Sequence, residues 1–391
     1  MRFALLGADP DAFDLARAVT DSGAHTLVSA HDLGQSEALA RRELPGVRLV
    51  EHWEGLLAGE VDAVIVARAA DDDLRAEQLR KLVQAAVPLV VSHPVHDSML
   101  VYYELEMIRE ESRAIVYPYV PGLGHPALTR IKELSETPAL GRLEQLSIER
   151  ALPARDRRSV LAAFVRDLEL AGPLCGRLSK VGAMAPGEVV GGARANYANL
   201  SVQMSGPAGM LVRWSVVPVE DREMTRFSFV GSHGKATLFV PTDDRPWTLE
   251  TRNEGTTASA TFDPWNSAPV ALARFADAIA GRPVQPDWLA ASRTMELADA
   301  VEHGLQRGRT IDLHYETPSE QSTFKGLMAG IGCFLLIGGL VFAVLAMAAV
   351  KLGVPLVGHW PKLLLGLLAG FLLLQLLRFA FPHQEDGGKL G

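Results

Sequence analysis

Over residues 1–121, apolar stretches short enough for buried strands alternate with stretches of helical period. Arg2 to Leu6 reads as a strand that ends in a turn at Gly7. Pro10 then suits the first turn of a helix that sets Phe13, Leu15, Ala16 and Val19 on one side. Further strands are expected at Thr26–Ala30, Val61–Ala67, Pro88–Val91 and Ala114–Tyr117. Helices are expected from Leu74 to Ala86 and from Ser98 through Glu111. Strands separated by helices imply a parallel sheet with crossovers, the doubly wound α/β class. In that class ligands bind beyond the carboxyl ends of the strands, where Gly7 lies.

The rhythm changes over residues 122–315. Arg142–Arg150, Ala195–Met204, Met210–Val217, Thr225–Val230 and Ala236–Val240 alternate with period two, the pattern of half-buried strands. Gly231 to Lys235 joins the last two as a hairpin. It lacks the spacing and the Ser/Thr of a phosphate loop. Helices at Ala271–Ala280 and Ala290–Gln306 complete an α+β domain with a mostly antiparallel sheet.

Residues 316–325 read as a polar linker, and two long apolar runs follow. The run 326–350 holds no charge and is bracketed by Lys325 and Lys351. At about 1.5 Å per residue it exceeds the ~30 Å hydrocarbon core. A loop, 351–362, contains Pro355 and Pro361. The second run, 363–381, carries Gln375 and Arg378, with Arg378 near enough to its end to reach the headgroups. The expectation is two transmembrane helices and a short tail, 382–391. Met1 to Gly7 is too short for a signal peptide. The globular part is therefore expected on the cytoplasmic side of the inner (cytoplasmic) membrane.

Charge removes one class of partner. The formal net charge is -8, from 38 basic and 46 acidic side chains, which argues against nucleic acid. The densest basic cluster, Arg155, Arg157 and Arg158, is interrupted by Asp156 and reads as a solvated loop. Two cysteines, Cys175 and Cys333, cannot form a disulfide framework. The 11 histidines are scattered and no Cys-x-x-Cys occurs, so no metal site is expected.

Several stretches carry a family resemblance that runs from Met1 to about Leu313. Ser228–Leu238 matches a GxxGxxxL hairpin. Phe275–Val284 and Ala298–Gly308 match two closing helices. Pro126, Lys132 and Gly141 match the entry to a second domain. In this order and spacing the chain resembles the Gfo/Idh/MocA family of oxidoreductases. The resemblance implies NAD or NADP bound by the first domain and a sugar or polyol oxidised or reduced in the cleft. It also implies a Glu-Lys-Pro motif, a later His-x-x-Asp pair, and homo-oligomers through the second-domain sheet.

The residues at those positions depart from the pattern. The nucleotide fingerprint falls on Gly7, Asp9 and Ala12, with Asp32 placed to receive a ribose hydroxyl. Asp9 adds bulk and negative charge where a backbone must approach a pyrophosphate, and before Pro10 it reads as a helix cap. Ser92-His93-Pro94 replaces Glu-Lys-Pro, which leaves His93 as the candidate acid/base. The His-x-x-Asp pair falls on Arg166 and Glu169, and arginine cannot exchange a proton near neutral pH. An ion pair between Arg166 and Glu169 at i,i+3, or an anion held by Arg166, is the expectation there. Besides dinucleotide binding without turnover, as a redox-state sensor, two readings stay open. One is a membrane-tethered, non-catalytic binding or assembly module. The other is an active NAD(P)-dependent sugar or polyol oxidoreductase using His93.

Overall fold

Alternate residues of the first strand face two different cores, which is why Arg2–Leu6 is apolar almost throughout. In the computed structural model, Phe3 and Leu5 pack with one layer of helices, and Ala4 and Leu6 with another. The structure describes residues 1–57, 61–69, 71–185, 197–206, 209–253 and 255–313. The chain divides into two compact units, 1–314 and 315–391. The expected linker, both expected transmembrane spans and the tail lie outside the described residues. Among the described residues, no helix is long and apolar enough to cross a membrane.

The first half of the described unit alternates as expected. Its elements are β1 (Arg2–Leu6), α1 (Pro10–Asp21), β2 (Thr26–His31), α2 (Glu37–Glu43), β3 (Arg48–Leu49) and β4 (Ala63–Val66). They continue through α3 (Asp72–Gln84), β5 (Leu89–Ser92), α4 (Met99–Ser112) and β6 (Val116–Tyr119). The six strands are all parallel, in the order β3-β2-β1-β4-β5-β6. The order reverses between β1 and β4, which opens a crevice at their carboxyl ends.

The second half follows with α5 (Pro126–Ser135), β7 (Leu143–Ala151), α6 (Arg157–Cys175), β8 (Lys180–Met184), β9 (Ser201–Ser205) and β10 (Leu211–Val217). After these come β11 (Met224–Gly231), β12 (Gly234–Pro241), β13 (Trp247–Asn253) and β14 (Thr256–Phe262). Helices α7 (Ala268–Ile279) and α8 (Trp288–Arg307) and strand β15 (Ile311–Asp312) end the described chain. The nine strands form one mixed sheet, ordered β14-β13-β12-β11-β7-β10-β9-β8-β15. Strand β10 runs parallel to β7, and the other neighbours pair antiparallel. The strand expected from Ala195 begins at Ser201, after a turn of 3₁₀ helix at Tyr197–Asn199. The hairpin glycines serve packing rather than phosphate. A Cβ on Gly231 or Gly234 would collide with the carbonyls of Leu140 and Ala139.

The long helix α6 joins the two halves. Asp156 caps it by accepting from the Ser159 amide at 3.0 Å. The cluster expected as a solvated loop runs into the start of α6; Arg157 and Arg158 keep part of their surface exposed, and all three arginines have partners. Arg155 donates to the carbonyls of Leu152, Ala198 and Val217. Arg157 pairs with Glu302, and Arg158 with Asp72 and Asp97.

Candidate functional site

Helix α6 lies along the carboxyl ends of β1, β4 and β5 and is fixed to the segment that follows each of them. One turn carries Arg158, which donates to the Ala69 carbonyl at 2.6 Å and to Asp72 at 2.9 Å, beyond β4. Its Nε lies 3.3 Å from Asp97 after β5, and Arg68 reaches the same carboxylate at 3.4 Å. Two turns on, Arg166 donates from Nε to the His93 carbonyl at 3.2 Å and pairs with Asp11 in the first turn of α1. The expected Arg166–Glu169 ion pair does not form. Packing against the first domain separates the two: Glu169 faces the His93 ring and Arg166 pairs with Asp11.

At the turn after β1, Asp9 is an N-cap with both carboxylate oxygens in use. Oδ1 accepts from the Ala12 amide at 2.7 Å and from the Ser92 hydroxyl at 3.0 Å. Oδ2 accepts from the Arg68 amide at 2.7 Å. The protein's own anion thus sits at the helix N-terminus, where amides and dipole favour negative charge. Gly7 adopts the left-handed region at φ +82°, and its amide donates to the His31 carbonyl at 2.8 Å. The Arg75 side chain of α3 lies against it with no exposed surface. Arg75 donates to the Leu6 carbonyl at 3.3 Å and to Asp32 Oδ2 at 3.3 Å. Burial draws the Arg75 pKa down to about 10, against the opposing pull of Asp32 and Asp9, so it stays charged near neutral pH.

The residues around this turn do not fit a dinucleotide in the pose such a crevice usually takes. A pyrophosphate would meet the Asp9 carboxylate, and a ribose would meet an Asp32 already joined to Arg75. No chemical step can be derived through that cofactor here.

On the β5 side, His93 precedes a cis bond to Pro94 and is fully buried. Its Nδ1 lies 3.2 Å from the Tyr102 hydroxyl, which accepts from the Val95 amide at 3.0 Å. The Tyr102 ring stacks on Trp288 at a centroid distance of 4.7 Å, and burial raises its phenol well above the ordinary range. His93 Nε2 faces Glu169 Oε1 at 3.5 Å, and neither atom has a hydrogen-bond partner among the described residues. Such a pair has the residue types of an acid/base couple, but it is shut inside protein. Asp11 is also buried, which pushes its pKa up to about 6 despite the nearby Arg166 guanidinium. Asp167, next to Arg166, points the other way. It accepts from Trp214 Nε1 at 2.9 Å and Arg150 at 3.3 Å, and so anchors α6 to the sheet.

The structure therefore gathers Asp9, His93, Arg166 and Glu169 at one end of the sheet. Gly7, Ala12 and Asp32 lie around the turn beside them. Arg75, Asp11, Ser92, Arg68 and Tyr102 were not foreseen. Arg75 alone left a signal: it falls on the stripe of α3 that also buries Ala76, Leu79, Leu82 and Val83. Among the described residues, no group of His, Cys, Asp and Glu could hold a metal ion. Behind the loop after β5 is a cavity of about 370 Å³ floored by Pro94, Met99, Leu161, Val165 and Met295.

Solved structures of Gfo/Idh/MocA-type NAD(P)-dependent oxidoreductases share this two-domain fold. One, assigned as a myo-inositol dehydrogenase from Sinorhizobium meliloti 1021, is 19% identical. The match covers 80% of this chain and 100% of that one, with a TM-score of 0.63. An oxidoreductase from Agrobacterium radiobacter, solved with NAD+, L-tartaric acid and magnesium, is 15% identical over 80% and 98% of the two chains, at 0.65. A 3-ketoreductase from Actinomadura kijaniata, solved with NADP and TDP-benzene, is 17% identical over 78% and 98%, at 0.66. No family model and no curated protein matches the chain.

Proposed function

We propose that the chain is a membrane-tethered, non-catalytic relative of these oxidoreductases, retaining the two-domain fold as a binding or assembly module. The observation that carries this reading is the placement of Arg166. Hydride transfer to or from a carbinol carbon needs a proton donor or acceptor within reach of its oxygen. The resemblance puts a histidine at that place, and here it is a guanidinium bound to Asp11 and the His93 carbonyl. Arginine does not exchange protons near neutral pH. The tether rests on the runs 326–350 and 363–381. The half-exposed outer face of the second sheet supports pairing with another copy.

A second reading is supported by His93 and Glu169, whose facing atoms are unpartnered. In that reading His93 is the acid/base of an NAD(P)-dependent sugar or polyol oxidoreductase. One assay separates the two. The full chain in detergent micelles is incubated with NAD+ or NADP+ and a panel of sugars and polyols, and nicotinamide absorbance is followed. No substrate-dependent change is expected. Turnover abolished by His93→Ala in a folded protein would replace the first reading with the second. Alkaline extraction of membranes tests the tether, and release of the chain into the supernatant would refute it.

A further inference from the structure

We propose that the nucleotide crevice of this chain is occupied by its own side chains, the Asp9 carboxylate at the start of α1 and the Arg75 guanidinium over Gly7. The inference rests on the reading above and deepens it by naming what fills the site. Asp9 accepts three hydrogen bonds, so α1 has no need of an external anion. Arg75 bridges the Leu6 carbonyl at the end of β1 and Asp32 just past the end of β2, where a ribose would lie.

Gly7 records the replacement. A glycine at this turn ordinarily allows the backbone close to a pyrophosphate. Here a Cβ would collide with the Arg75 guanidinium and stand 3.2 Å from the Ala67 Cβ. The small residue is kept, but what it makes room for belongs to the protein. Burying a guanidinium on the core-facing stripe of α3 is costly unless its donors find acceptors. Leu6 and Asp32 supply them, whereas Nε has no partner among the described residues. Arg75 is also too enclosed to serve a nucleotide 2′-phosphate, because no part of its side chain reaches the surface.

The test uses the full chain in detergent micelles. Calorimetric titration with NADH and with NADPH should give no heat for the wild type up to millimolar cofactor. The Asp9→Gly/Arg75→Ala variant should bind at least about tenfold more tightly. Micromolar binding to the wild type would overturn the proposal, and so would a folded double variant that gains no affinity. A thermal-melting cycle guards against loss of folding in that variant. Gly7→Ala should lower the melting temperature at least about twice as far in the wild type as in Arg75→Ala, because part of its cost is the collision with Arg75. Equal drops in the two backgrounds would also overturn it. Dinucleotide binding without turnover would refute this inference alone, whereas turnover would refute the proposed loss of catalysis.

Discussion

Arg166 and Asp11 form an ion pair between the two halves of the globular unit, one from the middle of α6 and the other from the first turn of α1. The same guanidinium holds the His93 carbonyl, so three segments depend on one side chain. Removing one member of a largely buried pair leaves the other without compensation, at about 3 kcal/mol. Arg166→Met should therefore lower stability by about 2–3 kcal/mol in chemical denaturation. Adding Asp11→Asn should recover at least half of that loss, since no unpaired charge then remains. Additive losses would mean that the two side chains act independently.

The Asp11 carboxyl also gives stability a pH dependence of unusual sign for an acid. Its pKa rises from 3.8 to about 6 on folding, with burial as the main cause. The folded state therefore holds the proton more tightly than the unfolded state. The contribution is fully present below pH 3.8 and is lost as pH rises through about 6. Between those limits the wild type should lose roughly 2–3 kcal/mol relative to Asp11→Asn. Denaturation of both proteins at several pH values measures the difference. A wild-type curve that runs parallel to the variant's would exclude this role.

The separate contributions of sequence and fold are clear at particular residues. Strands β1, β4 and β5 were legible because helices cover both their faces, so nearly every position is apolar. Asp9 was legible as a cap from its place before Pro10. Strand β14 was not, because six of its seven residues are exposed and it is held by backbone pairing to β13. The partners of Arg75 and Arg166 were also out of reach. Asp32 is 43 residues from Arg75, and Asp11 is 155 from Arg166, separations that only the folded chain closes. Local spacing suggested Glu169 for Arg166, and tertiary packing overrode it.

His125 is a buried imidazole built into the framework of the second half. It stacks on Trp247 at 3.7 Å between centroids, and its Nδ1 accepts from the Ala127 amide at 3.1 Å, capping α5. Burial lowers its pKa from 6.5 to about 4. The stability this represents is present above pH 6.5 and is lost as pH falls through about 4. His125→Ala removes both stacking and cap and should cost about 3 kcal/mol. His125→Asn keeps an acceptor at the cap and should recover about 1 kcal/mol of that. Equal stability of the two variants would show that the cap contributes nothing.

The His93–Glu169 pair makes the opposite case. At 3.5 Å its atoms are too far apart for a strong hydrogen bond, and both are buried without other partners. Desolvating two polar groups without a good bond between them is a net cost. Replacing both with apolar side chains of similar volume, His93→Leu with Glu169→Met, should therefore stay within about 1 kcal/mol of wild-type stability, the lost Tyr102 contact offsetting part of the gain. Each single change should be less favourable than the double, because it leaves one polar group buried opposite an apolar one. A stable double variant would show that folding does not require these residues. Measuring nucleotide and ligand binding on it would then ask whether the pair serves recognition. A double variant several kcal/mol less stable would instead place the pair in the framework of the fold, as with Asp167, two residues earlier on α6, and Trp214.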